Sequence, residues 1–472
     1  MTASRHQKTS PRFYLALAAA KATKAALSLA RKAGGQLPGV VAETIDPRFF
    51  GRVDRPEHIV FVSGTNGKTT TNNLLNDLLD DNGWDVITNR AGGNVWTGIE
   101  TQFLSNVSLG NRIRRDWAVM ELDELSFRKT LPYVVPEMVL VTNLYRDTFS
   151  RNGNPDYIFS VMSENLNPAT HLILNADDLI SCRLAPQCKN RTYFSVCKLP
   201  GDGPDAQGIA KDLPVCPVCG GHLKYEYCHM RHIGRARCEK CGLANPTPDY
   251  EVTNVDFDRR TFDVLERRVD GDKTYTYTIK SFSITNLYNL LAVVVVAREM
   301  GLSPERIARS LGGSVNIIAE RFTERVIAGR RVMSLATKSE NATAASVVLD
   351  AICKEPGTKA VVLMLAVTSK AENPTKTEFI GWYYQADFEY LNSPDVKQVI
   401  LEGEQNEDLL LRLLLAGIPR EKIVVVDTPE EAAAKVDPSV DGIYLDVDIF
   451  SHEKTEGFCA AFAERMGDAD DE

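Results

Sequence analysis

Gly64, Thr65, Asn66, Gly67, Lys68, Thr69 and Thr70 stand in one unbroken run, and these residue types suit phosphate chemistry. A glycine-bounded turn aims backbone N–H groups at an anion, Lys68 adds a point charge for the outer phosphates, and the Thr69 hydroxyl is a ligand for Mg²⁺. The run follows an apolar stretch at 58–62 that reads as a buried strand. It precedes a helix predicted over 72–81, with Leu74, Leu75, Leu78 and Leu79 on one face. Strand, glycine loop, Lys-Thr and helix is the order a nucleotide-binding loop needs. An ordinary βα turn does not explain a lysine and threonines gathered at a helix start.

Four of the ten cysteines form two pairs, Cys216 with Cys219 and Cys238 with Cys241, each followed by glycine. Each pair makes a knuckle with two thiolates facing one cation, and four thiolates close a tetrahedral shell, which is a structural Zn²⁺ site. Disulfides are the alternative, disfavoured in a cytoplasmic setting. Cys228 and His232 lie between the knuckles; Cys228 reads as a bystander and His232 as a stabiliser of the ribbon's fold. The remaining cysteines have no ligand spacing.

The chain has 472 residues, 44% hydrophobic and 25% charged, which suits a soluble enzyme of two or three domains. A net charge of −9 argues against a nucleic-acid partner. Arg5, Lys8 and Arg12 precede an apolar run in the manner of a signal peptide, but Lys21, Lys24, Arg31 and Lys32 interrupt it. The reading is a basic amphipathic helix ending near Gly34 and Gly35, packed on the body of a cytoplasmic protein or touching an anionic membrane. The longest apolar stretch, 290–297, is too short to span a bilayer.

The elements that must position these residues follow a doubly wound α/β pattern. Strands are expected at 84–88, 117–122, 138–143 and 172–175, each apolar and each ending in polar residues: Asn89 to Asn94, then Glu121, Asp123 and Glu124, then Asn143, Arg146 and Asp147, then Asp177 and Asp178. Asp123 and Glu124 read equally well as solvated strand-end charges, and Arg146 with Asp147 as a structural ion pair. The pattern breaks at about 201–248, where the cysteine knuckles imply an inserted zinc ribbon. Strand alternation resumes at 262–265 and 274–277, and a helix covers about 285–300. From about 319, strands near 331–335, 360–365, 398–401, 422–426 and 442–445 predict a second, Rossmann-like α/β domain. The expected division is a helical lead-in at 1–54, a central ATP-binding domain at 55–318 and a C-terminal domain at 319–472.

In that order the motifs resemble the Mur ligases, ATP-dependent enzymes that activate a carboxylate as an acyl phosphate for attack by an amine. The residues 64–70 resemble the family's P-loop, Glu121 its Mg²⁺-binding strand end, 142–147 its T-N-x-x-x-D element, and 175–178 its N-A-D-D turn. Asn286 and Asn289 fall in the helix that supplies an adenine-contacting asparagine, and Arg321 near the arginine that opens the C-terminal domain. The four-cysteine ribbon, and the lack of a full N-terminal UDP-binding domain, resemble the MurT-type subunits of lipid II isoglutaminyl synthase, whose W-x-x-D-x-D-F-E element is similar to 382–389.

That resemblance implies amidation of the D-glutamate α-carboxylate of lipid II, with ammonia from a GatD-type glutamine amidotransferase partner at the membrane surface. It implies Lys68 and Glu121 as catalytic residues, Mg²⁺ on Thr69 and Glu121, and nucleotide contacts from Asn143, Asp147, Asn286, Asn289 and Arg321. Asp387 would orient the partner's catalytic histidine. Thr148 stands where other Mur ligases have a histidine, which MurT-type chains also lack; the chain departs from the family in two places, where Gln385 replaces the first aspartate of the aromatic element and where 338–342 replaces K-N-P-A-G. Two other readings stand beside amidation: a ligase that adds an amino acid, as Mur and folylpolyglutamate enzymes do, and a partly degenerate ATP-binding homologue or scaffold.

Overall fold

Short apolar runs become parallel strands here because their residues are buried on both faces, which only a helix-covered sheet allows. A computed structural model describes the chain except residues 1–8, 32–34, 91–92, 147–153, 205–212, 268, 270, 280–282, 314–321, 338–339, 366–379, 404–405, 449–450 and 468–472. The chain divides into two compact units, one formed by residues up to 317 except 146–153 and 207–212, which group with the other, formed from 318 onward.

The first unit begins with α1 (Pro11–Leu29) and α2 (Leu37–Ile45). Then β1 (His58–Ser63), α3 (Lys68–Asp81), β2 (Val86–Ile87), α4 (Trp96–Asn106), β3 (Trp117–Glu121), α5 (Phe127–Thr130), β4 (Met138–Val141), α6 (Pro155–Asn165), β5 (His171–Asn175) and β6 (Arg191–Val196) wind the parallel part of a sheet. The hairpin β7 (Leu223–Met230) and β8 (Ile233–Cys238) follows, then β9 (Tyr250–Asp256), β10 (Thr261–Glu266), β11 (Lys273–Thr278), α7 (Ile284–Glu299) and α8 (Pro304–Gly312). The main sheet runs β11-β10-β9-β6-β5-β4-β1-β3-β2.

Side chains of β1 alternate between two cores. Ile59 and Phe61 join Phe13, Ala42, Ile99 and Ile158 on one face. Val60 and Val62 join Leu74, Leu75, Leu78 and Leu79 of α3 and the apolar body of α7 on the other. Strand order reverses at β1, with β3 on one side and β4 on the other. A crevice therefore opens at the carboxyl ends of these three strands, where doubly wound sheets bind ligands.

The ribbon is an insertion in the strict sense. β6 and β9 are parallel neighbours, Phe194 opposite Tyr250, and β7–β8 leaves and re-enters the sheet between them. The second unit holds β12 (Phe322–Ile327), β13 (Arg330–Thr337), α9 (Ala342–Lys354), β14 (Lys359–Met364), β15 (Val396–Glu402), α10 (Asn406–Leu415), β16 (Ile423–Val426), α11 (Pro429–Lys435), β17 (Gly442–Asp448) and α12 (His452–Met466). Its sheet runs β12-β13-β17-β14-β15-β16, parallel except for the β12 edge.

Two expectations are corrected. The N-terminal helix stops at Leu29, and a second helix follows after the glycines. α1 is also apolar on both faces rather than amphipathic: Phe13, Ala16, Leu17 and Ala20 are buried, while Leu15 and Leu29 are exposed. The strand expected at 84–88 shrinks to the two residues of β2.

Candidate active site and cysteine cluster

The glycine-bounded loop sits at the end of β1, and its shape depends on two glycines. Gly64 has φ +119° and Gly67 φ +84°, both in the region that favours glycine. A Cβ on Gly64 would lie 2.3 Å from Thr142 Oγ1, and one on Gly67 2.2 Å from Asn289 Oδ1. The chain after β4 clamps the loop: the Asn66 N–H donates to Asn143 Oδ1 at 2.9 Å, and Asn143 Nδ2 donates back to Asn66 O at 3.0 Å. Thr142 Oγ1 donates to the same carbonyl at 2.7 Å, and the Tyr145 N–H to Thr65 Oγ1 at 3.0 Å. Gly67 caps α3 without any side-chain acceptor, so the first N–H groups of α3 face the crevice in the manner of an anion site.

The chemistry-bearing side chains meet there. Lys68 Nζ donates to Glu124 Oε1 at 2.8 Å and to Thr65 O at 3.3 Å. Thr69 Oγ1 donates to Glu121 Oε2 at 2.8 Å, and Asn94 Nδ2 to Glu121 Oε1 at 2.8 Å. The Glu121 backbone is pinned by Asn89, whose Oδ1 accepts its N–H at 2.9 Å and whose Nδ2 donates to its carbonyl at 2.8 Å. A cleft of about 240 Å³ opens beside this group, lined among others by Thr69, Asn73, Arg90 and Glu121. A hydroxyl and a carboxylate held together at the helix start form an oxygen donor set of the kind Mg²⁺ takes.

The structure thus brings Gly64, Thr65, Asn66, Gly67, Lys68, Thr69, Thr70, Glu121 and Asn143 to one sheet edge. Asn289 is buried behind the loop, where its Oδ1 accepts from Thr71 Oγ1 at 3.2 Å; Asn286 lies one turn earlier, 3.4 Å from Asn289 Nδ2. Asp147 and Arg321 lie outside the described residues. In the second unit, Asp387 is buried, its N–H donating to Ser346 Oγ at 2.9 Å. Nearby, Arg412 braces the aromatic element through Tyr383 O, Ala386 O and Glu389 Oε2.

Glu124 is the residue the sequence undersold: it is buried and paired with Lys68, not solvated, and Asp123 is buried too, accepting the Leu125 N–H at 3.1 Å. Their signal was their place, two and three residues past Glu121 at an apolar strand's carboxyl end. Asn89 and Asn94 flank the glycine loop already noted at 89–94, but nothing in their spacing pointed to Glu121.

The N-A-D-D turn joins three elements. Asp177 accepts from Ser195 Oγ, Val196 N and Tyr288 OH at 2.9, 2.8 and 2.7 Å. Asp178 accepts the Leu144 N–H at 2.7 Å and lies 3.1 Å from His232 Nε2, at the tip of the ribbon hairpin. Burial pushes Asp177 up from the ordinary carboxylate value, against these hydrogen bonds. Asp178 is buried as well, but the His232 charge and the hydrogen bonds from His232 and Leu144 hold it below that value.

At the ribbon's other end the four cysteine Sγ atoms lie within 4.8 Å of one another. Cys216 and Cys241 are 3.6 Å apart, Cys219 and Cys238 3.5 Å. A tetrahedron with Zn–S bonds of 2.3 Å has S···S edges of about 3.8 Å, so the cluster fits zinc. Each knuckle closes on a backbone bond, Gly220 N to Cys216 O at 2.9 Å and Gly242 N to Cys238 O at 3.0 Å. Cys228 is buried elsewhere, its thiol donating to Arg231 O at 2.8 Å.

Comparison with known proteins agrees with these observations. Residues 62–205 match the Mur ligase middle domain, and 339–445 the MurT ligase C-terminal domain. The chain is similar to the MurT subunit of lipid II isoglutaminyl synthase (glutamine-hydrolyzing) of Staphylococcus aureus, 30% identical over 428 residues, covering 90% of this chain and 93% of that one. It is also similar to the MurT subunit of Streptococcus pneumoniae, 27% identical, with 86% and 87% covered. Among solved structures, a pseudomurein peptide ligase type C from Methanothermus fervidus shares the fold at a TM-score of 0.64 and 18% identity, over 89% of this chain and 81% of that one. MurF from Thermotoga maritima, solved with ADP, shares it at 0.54 and 17%, over 87% and 81%. No described helix is long and apolar enough to cross a membrane.

Proposed function

The chain belongs to the MurT family of Mur ligases, and from that premise we propose that it amidates the D-glutamate α-carboxylate of the lipid II stem peptide to D-isoglutamine. ATP phosphorylates the carboxylate, ammonia displaces phosphate from the acyl phosphate, and a GatD-type glutaminase subunit releases that ammonia from glutamine. The observation that carries the reading is the cluster at the carboxyl ends of β1 and β3: Lys68 beside the loop, and Thr69 bonded to Glu121 at 2.8 Å.

Each side chain has a part in this chemistry. Lys68, oriented by Glu124, offers its ammonium to the transferring phosphoryl group, where positioned positive charge lowers the barrier. Thr69 and Glu121 would hold Mg²⁺, which when bound neutralises phosphate charge as a Lewis acid. Asn94 and Asn89 fix the Glu121 carboxylate and backbone, so the donor set is preorganised. The clamp by Thr142 and Asn143 keeps the loop N–H groups aimed at the phosphates. Asp147, Asn286, Asn289 and Arg321 complete the nucleotide site in this reading, residues 55–318 forming the ATP-binding domain and 319–472 the C-terminal one. Asp387, buried beside Ser346, is the residue this reading assigns to the glutaminase's catalytic histidine, and the four cysteines hold a structural Zn²⁺.

Reconstitution with the glutaminase subunit tests the proposal. With lipid II, ATP and glutamine, the stem peptide gains one amide by mass spectrometry, and the gain requires all three. Incorporation of a free amino acid in place of ammonia would assign the chain to the other ligase chemistry. Turnover without ATP would overturn the reading altogether.

A further inference from the structure

A second cleft, of about 510 Å³, lies in the first unit, lined by Phe159, Arg183, Pro186, Lys189 and Arg191. Phe159 comes from α6, and the other four from the crossover that carries the chain from β5 to β6. Lys189 and Arg191 stand at the amino end of β6, whereas the nucleotide loop follows the carboxyl end of β1. Strands β1, β4, β5 and β6 run parallel, so these two cations lie toward the opposite end of the sheet from the nucleotide loop.

Charge sets this cleft apart. The whole chain carries −9, yet residues 179–201 contain four Lys and Arg and no Asp or Glu. Among the described residues, no carboxylate pairs with Arg183, Lys189 or Arg191. Arg183 lays its guanidinium over the Phe159 ring, 5.5 Å from the centroid, and its side chain makes no hydrogen bond among the described residues. Stacking holds the planar fork in place and leaves its donors open. Lys189 Nζ donates to Pro186 O at 2.9 Å, which uses one of its three protons.

Arg191 builds the floor. Its Nε donates to Cys188 O at 2.8 Å, its Nη1 to Cys182 O at 3.3 Å, and its Nη2 to Leu184 O at 2.7 Å and to Ala185 O. These carbonyls satisfy its donors without cancelling its charge. They also fasten the crossover, where Ala185 has φ +46°, a left-handed conformation uncommon for a residue with a Cβ. The Ala185 N–H donates to Ser163 Oγ of α6 at 3.1 Å, and Gln187 Nε2 to Ser163 O at 2.6 Å. The cleft is therefore held in shape before any ligand arrives. Surface packing explains the stack of Arg183 on Phe159, but not three cations around one cavity without an acid.

An open guanidinium fork beside an ammonium suits phosphate oxygens, and Phe159 and Pro186 offer apolar walls for an organic body. A single carboxylate would leave the three cations largely unbalanced, whereas a phosphate monoester brings up to two negative charges. The volume falls in the range of small-molecule sites, ~300–1,000 Å³. We infer that the cleft between α6 and the β5–β6 crossover binds an organic phosphate, held by Arg183 and Lys189. The inference goes beyond the amidation reading, and its test needs neither lipid II nor the glutaminase.

The full-length protein is saturated with Mg²⁺ and a non-hydrolysable ATP analogue, which fills the nucleotide loop, and is then titrated with phenyl phosphate in a calorimeter. Binding is expected, and tighter than that of inorganic phosphate, because the phenyl ring adds apolar contact. Arg183→Gln with Lys189→Gln should weaken it by about tenfold, with the melting temperature and the affinity for the analogue unchanged. Lys189→Gln alone, at an exposed side chain, repeats the test should the double variant fold poorly. Vesicles of phosphatidic acid in phosphatidylcholine separate the two sources of such a phosphate. Sedimentation of the wild type but not of the double variant assigns the cleft to a lipid headgroup; phenyl phosphate binding without sedimentation assigns it to a soluble phosphate ester. No phenyl phosphate binding to the analogue-saturated protein, or equal binding by wild type and variants, overturns the proposal. So does sulfate that binds as tightly as phenyl phosphate, because the cleft would then be a non-selective cationic surface.

Discussion

Lys68 Nζ lies 2.8 Å from Glu124 and 3.3 Å from Thr65 O, and Glu121 is held by Thr69 and Asn94 at 2.8 Å each. The two acids three residues apart therefore have different partners: Glu121 accepts from the Thr69 hydroxyl, and Glu124 pairs with the lysine. Lys68→Ala removes a charge placed for the transition state and should cut ATP-dependent turnover by roughly 10²–10³-fold. Unchanged turnover in a coupled phosphate-release assay would remove the loop from the mechanism. Glu124→Gln keeps shape and hydrogen bonding but loses the ion pair that orients Lys68. A drop in kcat of about 10–100-fold with little change in the Mg²⁺ requirement is expected, as for groups that orient a site's ligands. If the variant instead raises the Mg²⁺ concentration needed, Glu124 belongs to the metal and not to the lysine.

Among the elements, the ribbon hairpin links two features that the sequence presents as separate. One end carries the four clustered cysteines, and its tip places His232 against Asp178, which also holds the Leu144 N–H. Leu144 lies between Asn143 and Tyr145, the two residues that grip the nucleotide loop. His232→Ala should leave one zinc bound per chain and weaken ATP binding by about fivefold, the cost of one buried hydrogen bond, measured by calorimetric titration. Loss of zinc without loss of ATP affinity would place the role of His232 inside the ribbon alone. This coupling shows where sequence reading stops. Strands β1, β3, β4 and β5 were legible because both their faces are apolar, and the cysteine knuckles because metal geometry dictates their spacing. Strands β6 and β9 were not singled out: Arg191, Thr192 and Ser195 break the apolar run of β6, and its pairing with β9 spans the whole insertion. The ion pair of Lys68 with Glu124 was equally hidden, because it joins residues 56 apart. Asn89 and Asn94 were visible only as a glycine-loop flank, since hydrogen bonds between distant loops leave no periodicity.

Over the whole molecule, the chain buries carboxyl groups in both units, and their protonation ties stability to pH. Glu100 of α4 is fully buried in the first unit, neither oxygen has a hydrogen-bond partner among the described residues, and burial with the nearby charges of Glu43 and Asp46 pushes it well above the ordinary value. Asp446 of β17 is fully buried in the second unit, where burial pushes it up to about 7; Thr337 Oγ1 donates to it at 3.1 Å against that rise, and the charge of Asp448 adds to it. In both cases the folded state holds the proton more tightly than the unfolded chain. Their contribution is therefore fully present below about pH 4, where both states are protonated, and is lost as pH rises through the folded value. For Asp446 the window runs from about pH 4 to just above 7, and the loss is on the order of 4 kcal/mol at most. Asp446→Asn should raise the melting temperature at pH 8 and leave it nearly unchanged at pH 4; Glu100→Gln should act in the same direction in its own unit. Scanning calorimetry between pH 4 and 8.5 checks both, and its peak shape shows whether one transition or two must be fitted. A wild-type melting temperature that climbs steadily from pH 5 to 8.5, with neither substitution altering the slope, would mean that these carboxyls meet water or a counter-charge in solution.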